Sequence, residues 1–496
     1  MYKMDSPIDF LVDYSVEDVP NVMEVRTEIL EPTQSSAYRH TFRIDQSGFL
    51  DENTMLLFKP VASAAAAAAG CRLNCWNGAL GAIDRVTLQV GDYMLQDINK
   101  VGIWAAVNRL YTEAPDKQTK LWAHYLHNCL RYKVLSEAQA VGNALTGSIQ
   151  VDGAKSGIDY GNAAGGGAAV RNASITAVAA NNLRNAIPLG LIVPALKGVE
   201  LPLFLFQDYR VNIIVEFNPR SSEFANRIDK INFAAGENMA CDDGDITFSE
   251  VQLLMDYLIY PSSVQDEFMK RTQQEGGYTM DFMNVVTVEK QLPAAPVNVV
   301  SREEHRIGLA NSEVHYVQLV KKLTAATTAG ENKVLLGQRS DSVSIESTQW
   351  TVNGVDVYPE PYFNPVSHYN GLSYVLGVDY QVPKPLCVMD STTEYSLLTN
   401  EQSGIHGKSK VIGLDLSTGG PGVQGSGRET GQYPIIFKYA RKPHGDIDIT
   451  LDGAAGTKLA SADDSAMDCD YFCGLTRLVN VRMLPSGGLS VVVSNN

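Results

Sequence analysis

The densest apolar run in the chain, residues 187–219, limits what this sequence can become. It reads IPLGLIVPALKGVELPLFLFQDYRVNIIVEFNP. Pro188, Pro194 and Pro202 interrupt its first part. A proline inside a helix costs about 3 kcal/mol, because the ring removes a donor and collides with the preceding turn. Three of them exclude a helix, and with it a membrane span of about 20 residues. The second part alternates. Tyr209, Val211, Ile213, Val215 and Phe217 share one face, while Arg210, Asn212 and Glu216 share the other. That is the pattern of a half-buried strand, closed by Asn218-Pro219. The run is therefore expected to be a strand pair, with the odd-numbered residues from 209 to 217 turned to a core.

Similar β signals recur along the chain. Residues 38–44 (YRHTFRI), 54–61 (TMLLFKPV) and 245–260 (DITFSEVQLLMDYLIY) read as strands. Residues 83–98 read as a strand pair or one bent strand around the turn signal Gly91-Asp92. Helical spacing appears over 101–111 and 116–138, giving an expected helical insert at about 101–138. A Gly/Ala/Asn-rich stretch, 142–180, reads as a long loop. After a short polar helix around 264–274 and Gly276-Gly277, the plan repeats. Residues 278–288, 314–323, 347–358, 411–416, 433–439 and 471–484 are β-like, with a Gly-rich loop at about 417–432. Corresponding segments lie roughly 220 to 265 residues apart. The expected division is an N-terminal arm at 1–35, one all-β domain at 36–276 and a second at 277–496. About eight strands in each is the jelly-roll number.

Composition narrows the function classes. A chain of 496 residues exceeds what one core usually supports. With 40 Lys and Arg against 56 Asp and Glu, the net charge is −16, which argues against sequence-independent binding to phosphate backbones. Charged residues make up 19%, below the usual ~25%, as expected where much surface is buried against partners. The start, MYKMDSPIDFLVDYSVEDV, lacks the basic-then-apolar pattern of a secretory leader. Seven cysteines do not suggest a disulfide framework.

The motifs that could carry chemistry fall short of their requirements. Cys71 and Cys75 share CxxxC spacing with Cys469 and Cys473, but a zinc site would have to join opposite halves of the chain. His124 and His127 lack the glutamate of HExxH. Gly420, Gly422 and Gly425 spell GxGxxG, yet a β run follows where a dinucleotide site needs a helix. Asp242, Asp243 and Asp245 lack the calcium-loop spacing and read as a turn. Asp446 and Asp448 read as a strand's polar face. The eight histidines (His40, His124, His127, His305, His315, His368, His406, His444) show no HxH pair of the kind a cupin-like metal enzyme would want. The expectation is no catalytic, cofactor or metal site, and no enzyme.

Four segments resemble the double jelly-roll major capsid proteins of eukaryotic DNA viruses, most closely the polinton-like virus and virophage type. They are IPLGLIVPALKGVELPLFLFQDYRVNIIVEF, IDRVTLQVGDYMLQDINKVGIW, TQWTVNGVDVY, and KSKVIGLDLS followed by a Gly-rich loop and YPIIFKYARK. With the strands around them they span about residues 36–490. The resemblance implies two upright eight-stranded jelly rolls, homotrimers of pseudo-hexagonal outline that tile an icosahedral virion shell, and penton and minor capsid proteins as partners. It implies no cofactor and no direct nucleic-acid binding, and it leaves an internal membrane open. The rival reading is a tandem jelly-roll, lectin-like carbohydrate-binding protein. That class predicts a leader and paired cysteines, which this sequence does not display.

Overall fold

The computed structural model describes residues 24–45, 48–51, 54–64, 71–73, 79–112, 132–134, 149–151, 184–197, 201–206, 209–227, 242–293, 301–309, 312–323, 345–357, 411–416, 428–430, 434–441, 466–483 and 489–495. Sixteen principal strands build two sandwiches. The first contains β1 (Glu24–Leu30), β2 (Arg39–Ile44), β3 (Met55–Ala62), β4 (Ile83–Val90), β5 (Tyr93–Asn99), β6 (Asn185–Pro188), β7 (Val211–Phe217) and β8 (Ile246–Ile259). The second contains β9 (Tyr278–Leu292), β10 (Ser301–Ile307), β11 (Ser312–Leu323), β12 (Ile345–Val352), β13 (Val355–Asp356), β14 (Val411–Asp415), β15 (Ile435–Arg441) and β16 (Met467–Met483).

The strand orders match. One sheet of the first sandwich runs β1-β8-β3-β6 and the other β2-β7-β4-β5. In the second, the orders are β9-β16-β11-β14 and β10-β15-β12-β13. Numbered within each sandwich, the eight main strands run 1-8-3-6 over 2-7-4-5 in both, with further strands added at Gln34–Ser35, Phe49–Leu50 and Leu201–Pro202 in the first and Arg428–Thr430 and Leu489–Asn495 in the second. Two antiparallel sheets of four main strands facing each other make a jelly roll. The weak repeat of order read from sequence is thus a repeat of topology.

β7 shows why the alternating segments fold this way. Val211, Ile213, Val215 and Phe217 are buried, and the residues between them are half-buried. Ile213 lies between Phe42 of β2 and Leu88 of β4. Phe217 stacks on Phe248 of the opposite sheet at 4.2 Å and meets Phe58 edge-on at 5.0 Å, closing the first core. The second core centres on Trp350, Phe437 and Tyr471.

Several expectations need correction. The run 187–219 is not a strand pair, because β6 and β7 belong to opposite sheets. The chain leaves β6 at Pro188 and reaches β7 through the 3-10 turns Leu189–Leu191, Pro194–Leu196 and Leu203–Phe206 and the two-residue strand Leu201–Pro202. Pro188 ends its strand and Pro194 opens a turn, places where a missing ladder donor is tolerated. Tyr209 lies before the strand, half-buried, with its ring 6.2 Å from that of Tyr93. The stretch 1–35 is not all arm either. Glu24–Leu30 pairs with residues 253–259 as the first strand of the first sandwich. Its side chains are mostly exposed, so no alternation marks it. The helix Val101–Thr112 (α1) follows β5, and Ser262–Gln274 (α2) joins the two sandwiches. Within the expected helix at 116–138 and loop at 142–180, the described residues Tyr132–Val134 and Ile149–Val151 pair instead as antiparallel strands. Within the Gly-rich loop at about 417–432, Arg428–Thr430 is a short strand on Ser312–Val314. The rest of these stretches lies outside the described residues.

Candidate assembly interface

The two sandwiches meet where β5 and α1 of the first lie across the outer face of the second sandwich's β9-β16-β11 sheet. Sequence places them there locally. β4 and β5 form a hairpin, and Lys100, with a left-handed φ of 53°, turns the chain from β5 into α1. Its carbonyl accepts from the amides of Ile103 and Trp104. The outer face of the second sandwich offers Val285, Val320 and Phe472, which share one continuous buried cluster with Ile103 and Trp104. The joint is therefore an extension of the first core. Burying a side chain of this size contributes about 1.5–3 kcal/mol.

Polar contacts fix the register of the joint. Gln96 is 1% exposed. Its amide nitrogen donates to the Met283 carbonyl at 3.2 Å, and its oxygen accepts from the Ala195 amide at 2.9 Å. Thr287 donates to the Asn99 carbonyl at 2.8 Å, and Arg477 donates to the Leu95 carbonyl at 2.9 Å. Trp104 Nε1 donates to Tyr316 Oη at 3.0 Å. The Tyr316 ring lies over Gly474, where a Cβ would come within 2.4 Å of it.

Charge is neutralised within the joint. Lys100 Nζ lies 2.6 Å from Asp470, which is 1% exposed, and 2.9 Å from the exposed Glu289. Burial alone would lower the Lys100 pKa, but the two carboxylates hold it above its ordinary value. Burial would likewise raise Asp97, yet hydrogen bonds from Arg85 and Thr87 keep it below the usual carboxylate value. Arg85 grips Asp97 through two 2.7 Å bonds. Burial pulls Arg477 below its ordinary value against the attraction of Asp97, and burial pushes the Tyr316 phenol up. A cleft of about 570 Å³ opens beside Lys100 and is also lined by Asp84, Arg220, Glu223, Glu289 and Asp470. Two of its cations face carboxylates: Lys100 meets Asp470 and Glu289, and Arg220 reaches Glu223 at 3.3 Å.

The structure disperses the sequence's chemical candidates. Cys469 and Cys473 are buried in the second core, and burial pushes the Cys473 thiol up. Cys71 lies on the short strand Cys71–Leu73, which pairs only with Ala225–Arg227 in a separate two-stranded sheet. Asp242, Asp243 and Asp245 form a turn: Asp245 accepts from the Asp242 amide at 3.1 Å and Asp243 accepts from Ser222 Oγ at 2.6 Å. His305 is buried, its Nδ1 2.7 Å from Tyr471 Oη. Cys75, His124, His127, the GxGxxG at 420–425, Asp446 and Asp448 lie outside the described residues. Among the described residues, no group of three His, Cys, Asp or Glu is placed to hold a metal ion. The joint residues Gln96, Lys100, Trp104, Tyr316 and Gly474 escaped the sequence reading. Gly474 carried the one usable signal, since a glycine inside a strand marks close approach of another group.

No known family model and no curated protein matches the sequence. Solved structures do match. VP54 of PBCV-1, fitted into a cryo-EM reconstruction of the virophage Sputnik, aligns with 98% of this chain and 100% of its own, at 11% identity and a TM-score of 0.55. A quasi-atomic model of the PBCV-1 virus capsid aligns with 98% and 100%, at 12% identity and a TM-score of 0.53. The cryo-EM structure of the Sputnik virophage aligns with 98% and 92%, at 10% identity and a TM-score of 0.52. These likenesses establish the fold as a double jelly roll over nearly the full chain.

Proposed function

We propose that this protein is the major capsid protein of an icosahedral virus, three copies forming a pseudo-hexagonal capsomer that tiles the shell. One observation carries the reading: two sandwiches of identical strand order are joined through a continuous buried cluster. Such a chain presents two similar lobes in a fixed relation, so a ring of three chains offers six similar lobes. Six-lobed units tile a plane. The structures it matches at full length come from a virus capsid and a virophage particle. The ion pairs of Lys100 with Asp470 and Glu289 in the joint support a structural role.

Self-association makes the principal partner another copy of the chain, and penton and minor capsid proteins would meet the capsomer at its edges. Light scattering on the size-fractionated protein tests this. The expected mass is three times 54.0 kDa, and electron microscopy of the assembled protein should show hexagonal capsomers on a lattice. A monomer persisting at high concentration would overturn the reading.

A further inference from the structure

A chain of hydrogen bonds crosses the second sandwich from one sheet to the other. Tyr471 stands on β16 in one sheet, and its hydroxyl lies 2.7 Å from Nδ1 of His305 on β10 in the other. The imidazole presents Nε2 to the Tyr439 hydroxyl of β15 at 3.4 Å, and that hydroxyl donates to Glu303 at 2.6 Å. His305, Tyr439 and Tyr471 are buried and Glu303 is half-buried, so the chain runs from the core to its rim. The donors fix the tautomer. Tyr439 directs its only hydrogen to Glu303, so toward His305 its oxygen can only accept, and Nε2 carries the imidazole hydrogen. Nδ1 is then the acceptor, and Tyr471 donates to it.

The fold does not demand this chain. In the second sandwich His305 lies opposite Phe437, Phe437 opposite Trp350, and Glu303 opposite Tyr439. In the first, Phe42 lies opposite Ile213, Ile213 opposite Leu88, and His40 opposite Val215. Counted from the paired ends Ile307–Ile435 and Ile44–Val211, His305 takes the place of Phe42, Tyr439 that of Val215 and Glu303 that of His40. His40 itself meets Ser35 of its own sheet at 3.0 Å, a bond that does not span the sandwich. An apolar row therefore closes the first core at the level where a titratable row closes the second.

A second proton on His305 goes to Nδ1 and turns it from acceptor to donor. The Tyr471 hydroxyl then loses the acceptor it faces. Around Tyr471 stand the Trp350 and Phe437 rings and the Cys469 and Cys473 thiols, which are poor acceptors. The proton also brings a charge between the two sheets. Burial opposes that charge most and holds the His305 pKa below its ordinary value. Lys290 of β9 acts in the same sense, while the Gln291 carbonyl of β9 and Glu303 act against it. We propose that His305 is an acid-triggered release between the two sheets of the second sandwich, loosening that lobe ahead of the first. The release is silent at neutral pH and sets in as pH falls below the unfolded histidine value, about 6.5. In a capsomer of three chains, a step that rests on the capsid reading, every second lobe would loosen.

Hydrogen–deuterium exchange of the full chain tests this, at about pH 7.5 and about pH 5, corrected for the intrinsic exchange rate at each. Protection over 301–307, 435–441 and 467–475 should fall roughly tenfold in acid, as expected for a buried hydroxyl that loses its acceptor. Protection over 39–44, 83–90 and 211–217 should fall less. His305→Phe installs the residue type of the equivalent place in the first sandwich, and His305→Gln keeps a polar group that does not titrate. Both should abolish the acid loss in the second sandwich. An equal or greater loss in the first sandwich, no loss in the second, or a full loss in either variant that circular dichroism shows folded at neutral pH would overturn the inference. The wild-type comparison of the two lobes decides it even where neither variant folds. Exchange is read alike on monomer or trimer, so a failure of this inference is distinguished from a failure of the capsid reading.

Discussion

The Trp104 indole of the first sandwich donates a 3.0 Å hydrogen bond to the Tyr316 hydroxyl of the second, 212 residues away in sequence. Tyr316 in turn rests on Gly474. The three residues lock two lobes that a linker alone would leave free to rotate. Tyr316→Phe leaves a buried indole N–H without this acceptor, which costs about 1–3 kcal/mol. Gly474→Ala drives a methyl into the Tyr316 ring and should cost about 1–3 kcal/mol through overpacking. Equilibrium denaturation of both variants measures these losses. Full wild-type stability for Gly474→Ala would show that the ring is not held over the glycine.

Lys100 and Asp470 form the charged part of the same joint. Lys100→Met removes the cation 2.6 Å from a carboxylate that is 1% exposed. Stranding a buried charge is costly, and after allowance for the partly exposed Glu289 side the expected loss is about 2 kcal/mol or more. Replacing both residues, in Lys100→Met/Asp470→Leu, should recover much of it. The raised Lys100 pKa sets the pH sense. Its contribution is fully present below the unfolded lysine pKa and is lost as pH rises through the folded value. Denaturation midpoints of the single and double variants, compared at neutral and strongly alkaline pH, decide it.

His305 gives the stability an acid limb. It is buried against Tyr471 and Tyr439, and burial lowers its pKa from the ordinary histidine value. A depressed imidazole pKa means that the unfolded chain takes up the proton first. The stability is therefore present above the unfolded pKa, about 6.5, and lost as pH falls below it. The melting temperature should drop between about pH 7 and pH 5. His305→Gln should flatten that slope in part, the remainder reflecting His40, which burial also lowers. An unchanged slope in the variant would assign the acid limb elsewhere.

Ile213 tests the core register of β7. It is 0% exposed between Phe42 and Leu88. Ile213→Asp buries an unpaired carboxylate at a cost of several kcal/mol, about enough to abolish folding. Ile213→Val should cost only about 0.5–1.5 kcal/mol. Soluble expression and circular dichroism separate the two outcomes, and a folded Ile213→Asp protein would contradict the register.

The sequence by itself determined the elements whose burial alternates. β7 is legible because Val211, Ile213, Val215 and Phe217 each meet a core while their neighbours do not. The hairpins at Gly91 and at Asn353-Gly354 are legible because left-handed turns demand those residue types. The order of strands along the chain was enough to suggest two similar all-β halves. Tertiary structure decided the rest. β1 is mostly exposed, so only its pairing with residues 253–259 makes it a strand. The apolar run 187–219 contained its strands but not the sheets they join, because that depends on where the proline turns send the chain. The joint draws Lys100 and Asp470 together from 370 residues apart. Such contacts leave no periodicity in the sequence, since each residue is chosen by a neighbour that only folding brings near.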